Sequence, residues 1–266
     1  RTEQSLIIRF ARPDRIRSHA SLLTEMHSRL DTARAVTIPR PVLDLSEQGL
    51  LVMEHMPGRT ASEEIRKERT VDLLERLAKI LAVLHTMSAE GLPELRRKDF
   101  LSRAKRMCQQ LRTAGGDNAE MAETVLLKLF ALADQLSDGP TGMVHGDYHA
   151  GQVLIHEGQC CLLDFDRTHF GDTIADIGSF LAQLELLHCR GKLDDTASIR
   201  QPFLTGYEQK RGHSVNRSNL SFWVCWHLIE LALREYRRLK PTWPDRVRSI
   251  LQRTDMILER AKGDWL

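Results

Sequence analysis

The sequence predicts an α+β chain, with a small strand–helix–strand–strand unit in front and a mainly helical remainder. Three observations carry this expectation. Short β-compatible apolar runs mark the first 56 residues and one central stretch. Apolar residues at helical spacing fill most of the rest. Carboxylates gather around the central strands, in MVHGDYHAGQVLIHEGQCCLLDFDRTHFGDTIAD, residues 143–176.

Taken in order, SLIIRF is the first strand-like run, and Pro13 follows it where a proline opens a helix without supplying a needed amide. Ile16, Ala20, Leu23, His27 and Leu30 recur at spacings of four and three, so residues 14–30 are expected to form a helix with one packed face. After the IPRP turn, PVLDL and GLLVMEHM read as two strands around SEQG, and Pro57 and Gly58 end the second. Residues 70–87 carry apolar groups at 74, 77, 78, 81 and 84 and form an amphipathic helix. Further helices are expected over 99–111 and 119–136, with TAGGDN as the loop between them and SDGPTG as a breaker. MVH, QVLI and CCLLDF are short strands, the last two joined by HEGQ as a hairpin turn. From Ile174 the chain is mainly helical. Residues 222–239 are the clearest segment, in which Trp223, Trp226, Leu228 and Leu231 read as packing groups.

A chain of 266 residues can bury a full core and can also divide into two unequal lobes. Thirty-eight Lys and Arg against 36 Asp and Glu give a formal charge of +2. That balance argues against whole-surface attraction to nucleic acid or anionic membrane. The basic run Arg234, Arg237, Arg238 and Lys240 reads as a solvated helix end complementing the helix dipole. Five cysteines without CxxC spacing read as reduced thiols, favouring a cytoplasmic location. The chain has no apolar run of 18 residues, and RTEQSLIIRF lacks the long apolar segment of a secretion signal.

The central stretch carries the chemistry. Asp147 precedes the amide of Gln152 by five residues, and Asp164 ends an apolar strand twelve residues later. A loop entering one strand of a hairpin and the exit of the other can bring these oxygens together around a hard cation such as Mg²⁺, which relieves their repulsion. Phosphoryl transfer needs such a site, because charge on the transferring group must be held while a hydroxyl is aligned with it. Asp147 is then the group that accepts the hydroxyl's proton, Gln152 and Asp164 hold the metal, and Asp166 supplies a second ligand or a water-mediated contact.

The segments H145-G146-D147-Y148-H149-A150-G151-Q152-V153-L154, L163-D164-F165-D166 and G171-D172-T173-I174-A175-D176-I177 together resemble the aminoglycoside phosphotransferase and choline kinase family, which has the protein-kinase-like fold. The resemblance implies a two-lobe protein with a catalytic Asp147, metal-binding residues at 152 and 164, and Asp176 bracing the catalytic loop, with His145 as structural support behind it. Gln152 stands where the family usually has Asn, and this variant also resembles the maltokinase branch. Arg9, in LIIRF, stands where the family carries a phosphate-contacting basic residue, usually Lys, and Glu25 stands where its acidic partner is expected. LLVMEHMPG resembles the hinge between lobes, with Met53, Glu54, His55 and Met56 around an adenine edge, and L84-H85 also fits.

The expected division is therefore 1–56, a partial N-terminal nucleotide-binding lobe with the hinge, and 57–266, a C-terminal catalytic and substrate-binding lobe. No glycine-rich loop precedes Leu6, so the N-terminal lobe is expected to be truncated or incomplete, with truncation or omission of the missing strands favoured over their true loss. The implied activity is transfer of the γ-phosphoryl group of ATP, with Mg²⁺, to a hydroxyl of a small molecule such as an aminoglycoside, an amino alcohol or a sugar. Two other readings stand beside it: a catalytically inactive kinase-like interaction protein, and a metal-dependent hydrolase using His145, Asp147, His149 and Asp164 as a mixed ligand set.

Overall fold

The structure, a computed structural model, describes residues 5–33, 36–67 and 71–261, the side chains of 28–33 excepted. The first half runs β1 (Leu6–Phe10), α1 (Pro13–Ala33), β2 (Pro41–Leu45), β3 (Leu50–Glu54), β4 (Arg59–Thr60), α2 (Ala61–Lys67), α3 (Val71–Leu84), α4 (Arg97–Arg112) and α5 (Gly116–Ala133). The second half runs β5 (Thr141–Val144), β6 (Val153–His156), β7 (Gln159–Leu162), β8 (His169–Asp172), α6 (Ile174–Cys189), α7 (Ala197–Arg211), α8 (Arg217–Arg238) and α9 (Trp243–Glu259). The expected α+β architecture is present, with β1–β4 in the N-terminal part of the chain, β5–β8 in its central stretch and the remainder mainly helical.

Two compact units form: residues 1–73 with 145–168, and residues 74–144 with 169–266. This division by compactness differs from the expected 1–56 and 57–266 lobes, which follow chain order and implied function. In the first unit, β3 is the centre of an antiparallel sheet ordered β1-β3-β2, and a second sheet is ordered β4-β6-β7. Helix α1 covers its own part of the unit through a stripe of Ile16, His19, Ala20, Leu23 and Met26, all buried. The stripe is thus the expected one with Met26 in it, while His27 is only half-buried and the side chain of Leu30 lies outside the described residues. Between β6 and β7, Glu157 and Gly158 both have positive φ, at 45° and 74°. Two successive left-handed residues make the tight primed turn whose twist suits a hairpin.

In the second unit, β5 and β8 form an antiparallel ribbon, Thr141 opposite Asp172 and Val144 opposite His169. HFGD was not anticipated as a strand, since a glycine between polar ends carries no alternation. Helix α5 begins at Gly116, inside the stretch expected to be loop. The core forms where α8 crosses α4 and α6. Trp226 Nε1 donates to the Phe100 carbonyl at 2.7 Å, and Trp223 meets the Phe100 ring edge-on at 4.7 Å between centroids. Phe180 and Phe203 stack at 3.9 Å. These aromatic contacts are worth about 0.5–1.5 kcal/mol each beyond the area they bury, and both tryptophans are packing groups as expected. All five cysteines are free thiols, four of them buried. Arg237 donates to Gln110 and Arg238 to Glu235 at the end of α8, so the basic run is an exposed helix terminus. Among the described residues no helix is long and apolar enough to cross a membrane.

Candidate active site

The loop after β5 is sewn together by two histidine rings. His145 is fully buried. Its Nε2–H donates to the Leu163 carbonyl at 2.9 Å, and its Nδ1 accepts the backbone N–H of Asp147 at 3.3 Å. A carbonyl can only accept, so the ring is the Nε2–H tautomer, and both nitrogens serve backbone groups. Phe165 and Tyr148, both buried, close around the ring at 5.0 and 6.0 Å between centroids. A second ring repeats the device: His149 Nδ1 accepts the Gly151 N–H at 3.0 Å, and its carbonyl accepts the Gln152 N–H at 2.9 Å.

Glycine is required at 146. Its φ is 82°, and a Cβ there would stand 2.4 Å from the Arg167 carbonyl oxygen. The chain can therefore turn sharply beneath Arg167 and aim Asp147 outward. Asp147 is half-buried, with Oδ1 4.0 Å from His149 Nε2.

Gln152 and Asp164 are brought together by the ladder that ends β6 and β7. The Leu163 N–H donates to the Gln152 carbonyl at 2.8 Å, and Gln152 Nε2 stands 3.4 Å from Asp164 Oδ2. Asp164 is exposed and has φ 62°. That left-handed conformation costs a non-glycine residue, and Asp tolerates it better than most. The chain thus turns out of the strand at this residue and presents its carboxylate beside the amide.

Asp166 is engaged differently. Arg9 forms an ion pair with it, and His19 Nδ1 lies 2.9 Å from its Oδ1, off the axis that a hydrogen bond needs. Burial first, and the Arg9 charge second, lower the His19 pKa to about 4, so this ring is neutral. Glu25, two turns farther along α1, is exposed. The acidic group meeting Arg9 here is Asp166. His19 was not singled out in the sequence, although its position three residues after Ile16 on the apolar stripe was the available signal.

Within the first unit Arg9, His19 and Asp164 border a cavity of about 350 Å³, together with Leu154 and Met53–Met56, while Asp147, Gln152 and Asp166 are not among its lining residues. Residues 53–56 and the basic residue of β1 therefore line one space with Asp164. Among the described residues no group of three His, Cys, Asp or Glu side chains is arranged to hold a metal by itself. A hydrolase-type ligand set has no use of His145, whose two ring nitrogens are committed to the backbone. In the second unit, Asp176 is fully buried in the first turn of α6, with Oδ2 3.1 Å from His85 Nε2.

A chain that divides between a β-rich front and a helical rear, with an HGD loop and a hairpin ending in an Asp, has the protein-kinase-like fold. It belongs to the phosphotransferase enzyme family, whose pattern matches residues 1–223. It is similar to an aminoglycoside 3'-phosphotransferase of Streptomyces fradiae, 26% identical over 181 residues, which are 65% of this chain and 65% of that protein. The chain thus spans just under two thirds of that relative. Among solved structures, the microcompartment-associated aminopropanol kinase superposes with a TM-score of 0.71 at 17% identity, over 98% of this chain and 88% of that one. Choline kinase LicA of Streptococcus pneumoniae gives 0.68 at 15% identity, over 97% and 87%. At these identities the structures establish the shared fold.

Proposed function

We propose that the protein transfers the γ-phosphoryl group of ATP, with Mg²⁺, to a hydroxyl of a small molecule. One observation carries the reading: a cavity of about 350 Å³ is lined by Arg9, by Met53–Met56 and by Asp164, which would offer a ligand a cation, a stretch of backbone and a carboxylate. A nucleotide needs those three things, namely a neutraliser for phosphate, a backbone edge for the base and an anchor for its metal. That the relatives include kinases of an aminoglycoside, of aminopropanol and of choline supports a small alcohol as acceptor.

The donor set fits the metal. Mg²⁺ binds proteins through one or two carboxylates with phosphates and water completing its shell, so a dedicated three-ligand cluster is not required. Asp164 supplies the carboxylate and Gln152 an amide oxygen, since turning the amide about its last bond exchanges N for O toward Asp164. When bound, the ion neutralises phosphate charge as it develops.

The remaining work falls to the chain. Asp147 accepts the proton of the incoming hydroxyl and aligns its oxygen, while His145 holds the Asp147 amide and fixes where that carboxylate points. Arg9 neutralises phosphate from its place in β1, with Asp166 fixing its direction as a planar donor fork requires. Asp166 serves as a second metal ligand only after giving up part of that pairing. The cytoplasm suits a protein with five reduced thiols and ATP as substrate.

The test is a screen of aminoglycosides, amino alcohols and sugars with the full-length protein, ATP and Mg²⁺, read as acceptor-dependent ADP release. At least one class should stimulate turnover, and Asp147→Asn should abolish that stimulation while nucleotide binding persists. Equal turnover by Asp147→Asn removes the assignment.

A further inference from the structure

The second unit holds a buried hydrogen-bond chain that joins three helices. His85 follows the last residue of α3, Asp176 stands in the first turn of α6, and Tyr207 lies in α7. His85 Nε2 is 3.1 Å from Asp176 Oδ2, and His85 Nδ1 is 2.7 Å from the Tyr207 hydroxyl. All three residues are at least 97% buried. Directionality follows from chemistry. The Asp176 carboxylate lies at a helix N-terminus, where the dipole favours its charge, and it can only accept. His85 Nε2 therefore carries the proton, Nδ1 is a lone pair, and the tyrosine hydroxyl is the donor.

The surroundings are built for this contact. Gly206 lets α7 approach α3 so closely that a Cβ would lie 2.9 Å from the Glu75 Cα, which sets Tyr207 against His85. On the other side, a Cβ at Gly142 would meet the His85 carbonyl oxygen at 2.7 Å, so β5 runs directly against His85. The chain of β5 continues into His145.

We infer that Tyr207 is a positioning residue, whose hydroxyl holds His85 in the Nε2–H tautomer that supports Asp176, next to the backbone contact that His85 makes with β5. Its catalytic consequence rests on the phosphotransferase reading. Besides Asp176, the charges of Arg211 and Asp172 act on the His85 ring. Burial, named first among the influences on the ring, lowers the His85 pKa and keeps it neutral, so its tautomer is decided by hydrogen bonds.

The experiment compares Tyr207→Phe with Tyr236→Phe in the full-length protein. Tyr236 makes an exposed hydroxyl contact to Thr113 at 3.0 Å and serves as control. Nitrogen-15 NMR of the histidine rings should show His85 as a single Nε2–H tautomer with a hydrogen-bonded Nδ1 in the unmodified protein and in Tyr236→Phe. In Tyr207→Phe the Nδ1 signal should move to that of an unbonded or mixed tautomer. With ATP and Mg²⁺, kcat should fall about tenfold with the KM for ATP little changed, as losing one buried hydrogen bond from the positioning scaffold implies. A fold-intact Tyr207→Phe with an unmoved His85 signal, or with a moved signal and unaltered kcat, overturns the inference. Absence of turnover from the unmodified protein fails the kinase reading and the catalytic half of this one, while the His85 signal still decides whether Tyr207 sets the tautomer. Unfolding curves for both variants separate positioning from collapse.

Discussion

His145 joins two separate pieces of backbone: its Nε2–H donates to the Leu163 carbonyl at 2.9 Å, and its Nδ1 accepts the Asp147 N–H at 3.3 Å. The ring is the pin between the loop that carries Asp147 and the strand exit that carries Asp164. Both carboxylates depend on where it sits.

Replacing this ring should therefore cost stability as well as activity. His145→Ala takes the ring partner away from the Leu163 carbonyl and the Asp147 amide, both on half-buried residues, and opens a cavity between Phe165 and Tyr148. Each stranded group costs about 1–3 kcal/mol, so urea unfolding should show a loss of about 3 kcal/mol, well above that of an exposed substitution. A loss below about 0.5 kcal/mol, the range of surface changes, contradicts the pinning role.

Much of this site was readable before any fold was known, because its devices are local. The HEGQ turn and the Asp at the end of an apolar strand each impose their geometry within a few residues, whereas the turn at Gly146 depends on the distant Arg167 carbonyl and shows only in the fold. The pairing of Arg9 with Asp166 was not readable. It joins residues 157 apart in sequence, and the family resemblance pointed instead to Glu25, an exposed residue of α1. His19 was overlooked for a related reason, since a histidine on an apolar stripe reads as core until the stripe is known to border a cavity. The β8 strand escaped because its partner β5 lies 25 or more residues earlier and its own residues carry no alternation.

Charge at Asp164 should govern the metal-dependent part of nucleotide binding. Asn is the informative replacement, since it tolerates the φ of 62° that alanine would resist. In calorimetric titrations, Asp164→Asn should weaken ATP binding in the presence of Mg²⁺ by about tenfold or more, equivalent to about 1.4 kcal/mol, and leave binding without Mg²⁺ nearly unchanged. Gln152→Ala should act in the same direction with a smaller effect. Equal losses with and without Mg²⁺ indicate that these residues shape the cavity rather than hold a metal.

The buried His19 should make folding sensitive to mild acid. Its pKa falls from 6.5 to about 4 on folding, so between those values the unfolded chain binds a proton that the folded chain refuses. Stability from this group is complete above pH 6.5 and declines as pH falls toward 4. At about 1.4 kcal/mol per pH unit, the loss approaches about 3 kcal/mol. His19→Leu should flatten the difference between unfolding free energies measured at pH 7.5 and pH 4.5 by that order. An unchanged difference assigns the acid sensitivity to other groups.

Gly178 should reverse the usual rule for glycine in a helix. Replacing an interior helical glycine by alanine ordinarily stabilises by about 1 kcal/mol, because glycine has more conformational freedom to lose. Gly178, however, is where α6 meets α8: a Cβ there would lie 2.5 Å from the Trp223 Cβ and 2.8 Å from its backbone carbon. Backbone cannot yield as a flexible side-chain tip can, so Gly178→Ala must push the two helices apart. Trp223 also donates its Nε1–H to Asp172 Oδ2 at 2.8 Å, and burial raises the pKa of that carboxyl, so separation threatens a bond on which a buried polar group relies. Overpacking of this kind costs about 1–3 kcal/mol, more than the gain in helix propensity. Denaturant unfolding of Gly178→Ala should therefore show net destabilisation, with tryptophan fluorescence shifted toward a wetter environment. A more stable variant with unchanged fluorescence means that α6 and α8 do not approach at this residue.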